Sequence, residues 1–499
     1  MKGLYCVLLG TLAAAEAFVA DVGYAKYEGE TTDYGVTNYY GIPFAAPPVE
    51  DLRWREPVAI EDSIEKNEEV VKATKVPSKC IQGTTDVEGS EDCLYLNMQV
   101  PKGATADSKL PVVVDIPDEG YASGQANDNG TYLIKQSDDS IIYVSVQYRL
   151  GIFGFLGGDQ ISQDGKKNVG LLDQRMALEW IKKHVVAFGG DPEKITLAAG
   201  SSALLQLVAY DGKQEDAPFH AAIVTSPLDA PMLTDENQNL EYHDVLNLAN
   251  CQDLACLRSL SEDDFKAIAK KAYQKSYKQN GEGLTPWRPV LDGEFIKTLP
   301  QDAFSYFKYQ NVSIIMEHTS HEGHKYTPTS LDTTEKEKQD IEQIFSECKD
   351  GFADRIFEIY PLSDYQNSTY EHRSAWFGDC FISCPTRSVV SHVGVNDGNP
   401  IYKSICDDET NTNIRSSTDK LEDASNAELA AKLAKYYISF IKTTGDPNTH
   451  KHSDAPEWPT YTMDADTLRI QDNSLEIKRD TDIKKGCDFF HYYTSCIRH

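Results

Sequence analysis

Residues 189–210, GGDPEKITLAAGSSALLQLVAY, are the segment best suited to carry chemistry. A Gly-Asp-Pro turn precedes a short β-branched run, small residues fill 198–203, and a helical pattern follows. Ser201 and Ser202 therefore sit in a tight turn between a strand and a helix. A nucleophile elbow needs this arrangement: it holds a hydroxyl at a sharp bend and aims a helix N-terminus at a developing oxyanion. Small neighbours are required because the turn brings two backbones together. A Ser-Ser pair behind glycine is also an ordinary helix cap, and the turn alone does not separate the two readings. A hydroxyl nucleophile needs an imidazole or similar base within hydrogen-bond reach, and the base needs an orienting carboxylate.

A second cluster, His318, His321 and His324 with Glu317 and Glu322, offers imidazoles and carboxylates close together. Its spacing fits neither a helical H-E-x-x-H pair nor a C-x-x-C pair, and Gly323 places it in a loop, so neither a metal nor a cofactor is expected.

The elements that would position these residues are legible. Apolar, β-branched runs bounded by turn signals recur at 110–116, 140–147, 194–199, 220–225 and 312–316. Helical patterns lie between them, clearest at 170–188 and at 426–443, where Gly445 and Pro447 provide the stop. Strands alternating with helices predict an α/β fold with a mostly parallel sheet and a site at the carboxyl ends of its strands. The segment before Pro57 reads as an antiparallel edge. No repeat or linker interrupts the chain, so residues 18–499 read as one domain.

The 499 residues carry 78 Asp and Glu against 48 Lys and Arg, a net charge of −30, which argues against nucleic acid and anionic lipid as partners. Residues 1–17 have the basic start, apolar run and small-residue end of a secretory signal, with cleavage expected after Ala17. No later run is long and apolar enough for a transmembrane segment, so a secreted, extracellular protein is expected. Loss of Cys6 leaves ten of 11 cysteines, an even number that favours disulfides in an oxidising compartment. Cys80 with Cys93 and Cys251 with Cys256 read as loop staples. Cys380 and Cys384 read as disulfide partners or core, and Cys348, Cys406, Cys487 and Cys496 have no obvious partners. Asn129, Asn311 and Asn367 are glycosylation sequons.

Several segments, among them GIPFAAPPVEDLRWREP, SEDCLYLN, SVQYRLGIFGFL, NVGLLDQRMALEWIKKHVVAFGGDPEKITL, WRPVLDGEF, SHEG and IKTTGDPN, occur in an order that resembles the type-B carboxylesterases, a family that includes cholinesterases and fungal secreted lipases. The resemblance implies an α/β-hydrolase fold, with helices on both faces of a large, mostly parallel sheet. It also implies the disulfides Cys80–Cys93 and Cys251–Cys256, and the buried ion pairs Arg53–Glu91 and Arg149–Asp173. The family elbow is Gly-Glu-Ser-Ala-Gly, which assigns Ser201 as nucleophile. Alanines at 199 and 203 in place of the flanking glycines are expected to strain the turn by about 1 to 3 kcal/mol. Glu322, followed by Gly323, matches the triad acid.

Two further parts depart from the family pattern. Its glycine-rich oxyanion loop corresponds to Pro117, Asp118, Glu119, Gly120 and Tyr121, leaving Gly120 and the Ser202 amide as donors and adding two carboxylates that oppose an oxyanion. The base histidine has no counterpart between Ile405 and Leu433, and His392, His450 and His452 fall outside its position. The resulting expectation is a secreted relative with impaired or lost ester hydrolysis and a binding or scaffold role, with a protein partner. The alternative is an active hydrolase of carboxylic esters or lipid-like small molecules, with a displaced histidine as base; His318, His321 and His324 are nearest Glu322 in sequence.

Overall fold

A computed structural model of the chain describes residues 19–117, 119–126, 130–276, 280–349, 351–407, 427–471 and 474–499. Residues 1–17, expected to be a leader, the sequon Asn129 and Asp118 lie outside the described residues.

An eleven-stranded sheet runs through the molecule. Its parallel part consists, in spatial order, of Asp466–Gln471, Ile401–Cys406, Ser313–Thr319, Ala221–Thr225, Gly190–Ala199, Leu110–Asp115 and Ile142–Val146. Antiparallel strands close both ends: Ser474–Arg479 on one side, and Tyr95–Pro101, Val36–Pro43 and Glu30–Thr31 on the other. The edge expected before Pro57 is therefore present. Val19–Asp21, Lys26–Glu28 and Val70–Lys72 form a separate small sheet.

Strand alternation decides which side chain meets which helix. Val112, Val114, Ile314 and Met316 enter one core with Leu171, Leu178 and Ile181 of helix Val169–His184. Val113, Ile223 and Ile315 face the other way, toward Leu433, Tyr437 and Ile441 of helix Ala427–Thr443. Residues covered on both sides have to be apolar throughout, and for this reason the central strands appear in the sequence as unbroken Val and Ile runs. This is the α/β-hydrolase architecture. A third core joins helices Thr334–Ile344, Phe352–Ile359, Thr369–Gly378 and Lys485–Tyr492.

Both expected ion pairs are made. Arg53 grips Glu91 through two bonds of 2.6 Å, and Arg149 grips Asp173 at 2.7 and 2.8 Å. Four disulfides form among the described residues: Cys80–Cys93, Cys251–Cys256, Cys348–Cys496 and Cys384–Cys487. Of the two readings of Cys380 and Cys384, mutual partners or core, the pairing is thereby corrected, while Cys380 is core. They lie a turn apart on one helical run, and Cys384 reaches instead across to helix Lys485–Tyr492, leaving Cys380 and Cys406 as buried thiols.

Candidate active site

Three residues singled out by the sequence, and Ser226, which it did not signal, come from the carboxyl ends of adjacent parallel strands. Gly120 follows Leu110–Asp115, Ser201 follows Gly190–Ala199, Ser226 follows Ala221–Thr225, and Glu322 follows Ser313–Thr319. Parallel strands end on the same edge of the sheet, so their loops gather there.

The chain leaves its strand at Gly200, with φ −84° and ψ −120°, and Ser201 is the first residue of helix Ser201–Val208. None of Ala199, Ser201, Ser202 and Ala203 has a positive φ. The strain expected from the two alanines is therefore absent, because the turn is made without the left-handed backbone that would crowd a Cβ. Left-handed residues occur instead in the facing loops, at Gly120 (φ 63°), Tyr121 (φ 62°) and Ser226 (φ 44°).

Both hydrogen bonds of the Ser201 hydroxyl go to one backbone residue. It donates to the Leu228 carbonyl at 3.1 Å and accepts from the Leu228 N–H at 3.0 Å. The side chain is 6% exposed. Ser202 is fully buried and accepts from Gln174 Nε2 at 3.0 Å, while its N–H belongs to the first turn of the helix, where amides lack intrahelical acceptors. Gly120 lines the same cavity as Ser201, and its carbonyl accepts from Thr285 Oγ1 at 2.6 Å.

Glu322 does not meet Ser201. Its Oε1 accepts from Ser226 Oγ and from the Thr319 N–H, both at 2.6 Å. It lines a cavity of about 580 Å³, separate from that of Ser201. Residues 226–228 stand between the two: Ser226 holds the acid and Leu228 holds the serine. In a working triad an imidazole would join them.

All twelve histidines are among the described residues. Both ring nitrogens of His318 are engaged, Nε2 with Asp482 and Nδ1 with the Thr319 carbonyl, each at 2.8 Å. His321 and His324 stack with centroids 5.4 Å apart on the rim of the Glu322 cavity, and His324 pairs with Glu371. His392 bonds the Ser388 carbonyl one helical turn back, and His452 bonds Asp454. His499, which the sequence reading passed over, is buried against Phe381 and the Asp229 backbone; burial pushes its ring down to about 4, so it is neutral. None of the twelve hydrogen-bonds the Ser201 hydroxyl.

Of the two carboxylates expected beside the oxyanion loop, Asp118 lies outside the described residues. Glu119 is exposed and turned to Ser123 Oγ, so it does not oppose an oxyanion. Asp229 lines the serine cavity; burial pushes its carboxyl up to about 7, and Gln301 Nε2 donates to it at 2.7 Å. Asp229, Thr285 and Arg288 all line the serine cavity, and nothing in their spacing announces it. That cavity measures only about 30 Å³, the space of one water molecule, where small-molecule sites generally offer several hundred.

Gly323 fixes the acid loop by close approach. A Cβ there would sit 1.8 Å from the Ser374 carbonyl oxygen, a backbone atom that cannot swing aside. Gly323→Ala is expected to lower the free energy of unfolding by about 1 to 3 kcal/mol in urea titrations, the usual cost of overpacking.

Comparison with known proteins matches residues 21–490 to the carboxylesterase family. The chain is similar to Lipase 1 of Geotrichum candidum, at 32% identity over 417 residues, 71% of this chain and 72% of the lipase. It is also similar to a secreted triacylglycerol lipase of Gibberella zeae, at 29% identity over 488 residues, 85% of this chain and 82% of the lipase. Among solved structures, EstA of Aspergillus niger matches with a TM-score of 0.85 and 27% identity, covering 97% of this chain and 99% of EstA.

Proposed function

The chain belongs to the carboxylesterase family, and on that premise we propose that it is a secreted relative in which ester hydrolysis is lost and binding is the retained task, carried by one domain over residues 18–499. The carrying observation is the pair of bonds between the Ser201 hydroxyl and the Leu228 backbone. For Ser201 Oγ to attack an ester carbonyl, its proton has to pass to a base as the bond forms. The group that receives this hydrogen is a peptide carbonyl, which does not take up a proton at neutral pH. Triad members act as a unit, so a serine and an acid without an imidazole retain little of the rate.

Two further features support the reading. The cavity at Ser201 measures about 30 Å³, well below the several hundred of small-molecule sites, and Asp229 adds a carboxyl to its lining. Gly120 and the Ser202 N–H are the donors left for that oxyanion. Secretion is supported by the leader-like residues 1–17, by four disulfides, and by the exposed sequon residues Asn311 and Asn367.

The test is a fluorophosphonate probe with peptide mass spectrometry, beside p-nitrophenyl butyrate turnover, on protein that melts cooperatively. The expected result is no adduct on Ser201 and equal turnover for the parent and Ser201→Ala. An adduct at Ser201, or turnover that Ser201→Ala abolishes, would overturn the reading in favour of an active ester hydrolase using a displaced histidine.

A further inference from the structure

Six arginines are buried among the described residues. Arg53, Arg149, Arg258 and Arg373 each pair with a carboxylate, and Arg175 lies among the rings of Tyr210, Phe219 and Phe295. Arg288 has neither kind of partner. It is 5% exposed, and its Nε and Nη1 donate to neutral acceptors: the Pro231 carbonyl at 2.7 Å, the Thr285 carbonyl at 2.7 Å and Asn280 Oδ1 at 3.3 Å. Among the described residues no acceptor takes the Nη2 hydrogens. A buried guanidinium is costly unless its charge is met, and here the chain does not meet it directly.

Arg288 forms part of the wall of a second cavity of about 500 Å³, within the size range of small-molecule sites. Arg288 and Met232 border this cavity and the small one at Ser201 alike. Met232, Leu233, Leu240 and Ile344 give it an apolar side, with Leu240 60% exposed. Glu241 makes no ion-pair contact with Arg288 but acts on it at longer range, and Asn280, which bonds Arg288, donates through Nδ2 to Glu241 Oε1 at 2.9 Å. Burial pushes the Glu241 carboxyl up to about 7, so it only partly offsets the guanidinium at neutral pH. On the walls, Lys275 is neutralised by Asp244 at 2.6 Å, and Arg498 and Glu347 balance in sign.

We propose that this cavity binds a monocarboxylate with an apolar body, its carboxylate on the Nη2 edge of Arg288 and its tail along Met232, Leu233, Leu240 and Ile344. Guanidinium meets a planar carboxylate with directional, charge-assisted bonds. A second negative charge would lack a cation of its own, because Lys275 is already paired with Asp244 and the charge of Arg498 is offset by Glu347. The proposal rests on the reading of the chain as a binding protein, and names the ligand class and the place.

Calorimetric titration with decanoate, kept below micelle formation, tests it beside decanol. Saturable binding of decanoate is expected, with decanol about 10- to 100-fold weaker, the range for hydrogen bonds to a charged group. Arg288→Met should bring decanoate down to the level of decanol. Because Arg288 is buried, Leu240→Glu serves as a second variant at an exposed position, and should weaken decanoate and decanol alike, because the tails of both lie along Leu240. Absence of saturable decanoate binding to the folded parent, equal affinity for decanoate and decanol, or a Leu240→Glu protein that binds decanoate as the parent does would each overturn the proposal. Fluorophosphonate labelling of Ser201 bears on lost hydrolysis alone, so the two ideas can fail separately.

Discussion

Lys403→Met is expected to lower the free energy of unfolding by about 3 to 5 kcal/mol at neutral pH, the cost of leaving buried charges without their partner. Lys403 sits in the parallel strand Ile401–Cys406 with 0% exposure, and its ammonium donates to both oxygens of Asp480, at 2.9 and 2.8 Å, and to Asp482 at 2.6 Å. His318 bonds the same Asp482 oxygen, and the Tyr461 hydroxyl donates to Asp480 at 2.8 Å. Burial pushes the Asp482 carboxyl up, but the Lys403 ammonium and the His318 imidazole outweigh it and hold the group well below the ordinary carboxylate range. A depressed carboxyl contributes stability that is present above its unfolded value, about 3.9, and is lost as pH falls through the lower folded value. In the variant, desolvation acts without the ammonium, and protonation relieves the buried charge. Urea unfolding of parent and variant across pH should therefore show the widest gap near neutrality and a narrowing gap below about pH 4. A gap under about 1 kcal/mol at pH 7 would mean that the network contributes no net stability.

Cys384→Ser with Cys487→Ser should cost about 2 to 5 kcal/mol, the range for removal of a native bridge. That disulfide spans 103 residues and holds helix Lys485–Tyr492 against the third core, where Phe490 packs near Tyr360. Cys251–Cys256 spans only five residues, and the same chain-entropy relation gives it about 2 kcal/mol against about 4.7 for the longer loop. Guanidinium unfolding of the two double variants should rank them in that order. The reverse order would show that local strain or residual structure in the unfolded chain, rather than loop length, governs these bridges.

Particular residues show how far the sequence could be read. Hydrophobic runs at 110–116, 194–199, 220–225 and 312–316 correspond to parallel strands because a strand covered on both faces has to be apolar throughout, a local property visible in one dimension. The antiparallel edge, the two arginine–carboxylate pairs and the two short disulfides were equally legible, either from spacing or from resemblance. The absence of a histidine between Ile405 and Leu433 was legible as well, because it can be counted. Other features had no linear signature. Cys384 finds Cys487 over 103 residues, and Cys348 finds Cys496 over 148, through helix packing that spacing does not encode.

The sequence by itself determined the sheet, its helical cover and the identity of the residues at its carboxyl edge, because periodicity and turn chemistry act between near neighbours. Only the tertiary structure decided what those residues touch. Ser201 is held by Leu228, and Glu322 is held by Ser226 in a different cavity. Asp229 lines the serine cavity, and Arg288 stands between two cavities with no carboxylate in direct contact and only Glu241 nearby to offset it in part. The physical reason is that hydrogen bonds and burial energies depend on distances between loops far apart in the chain, fixed by how the sheet edge and its covering helices close over one another.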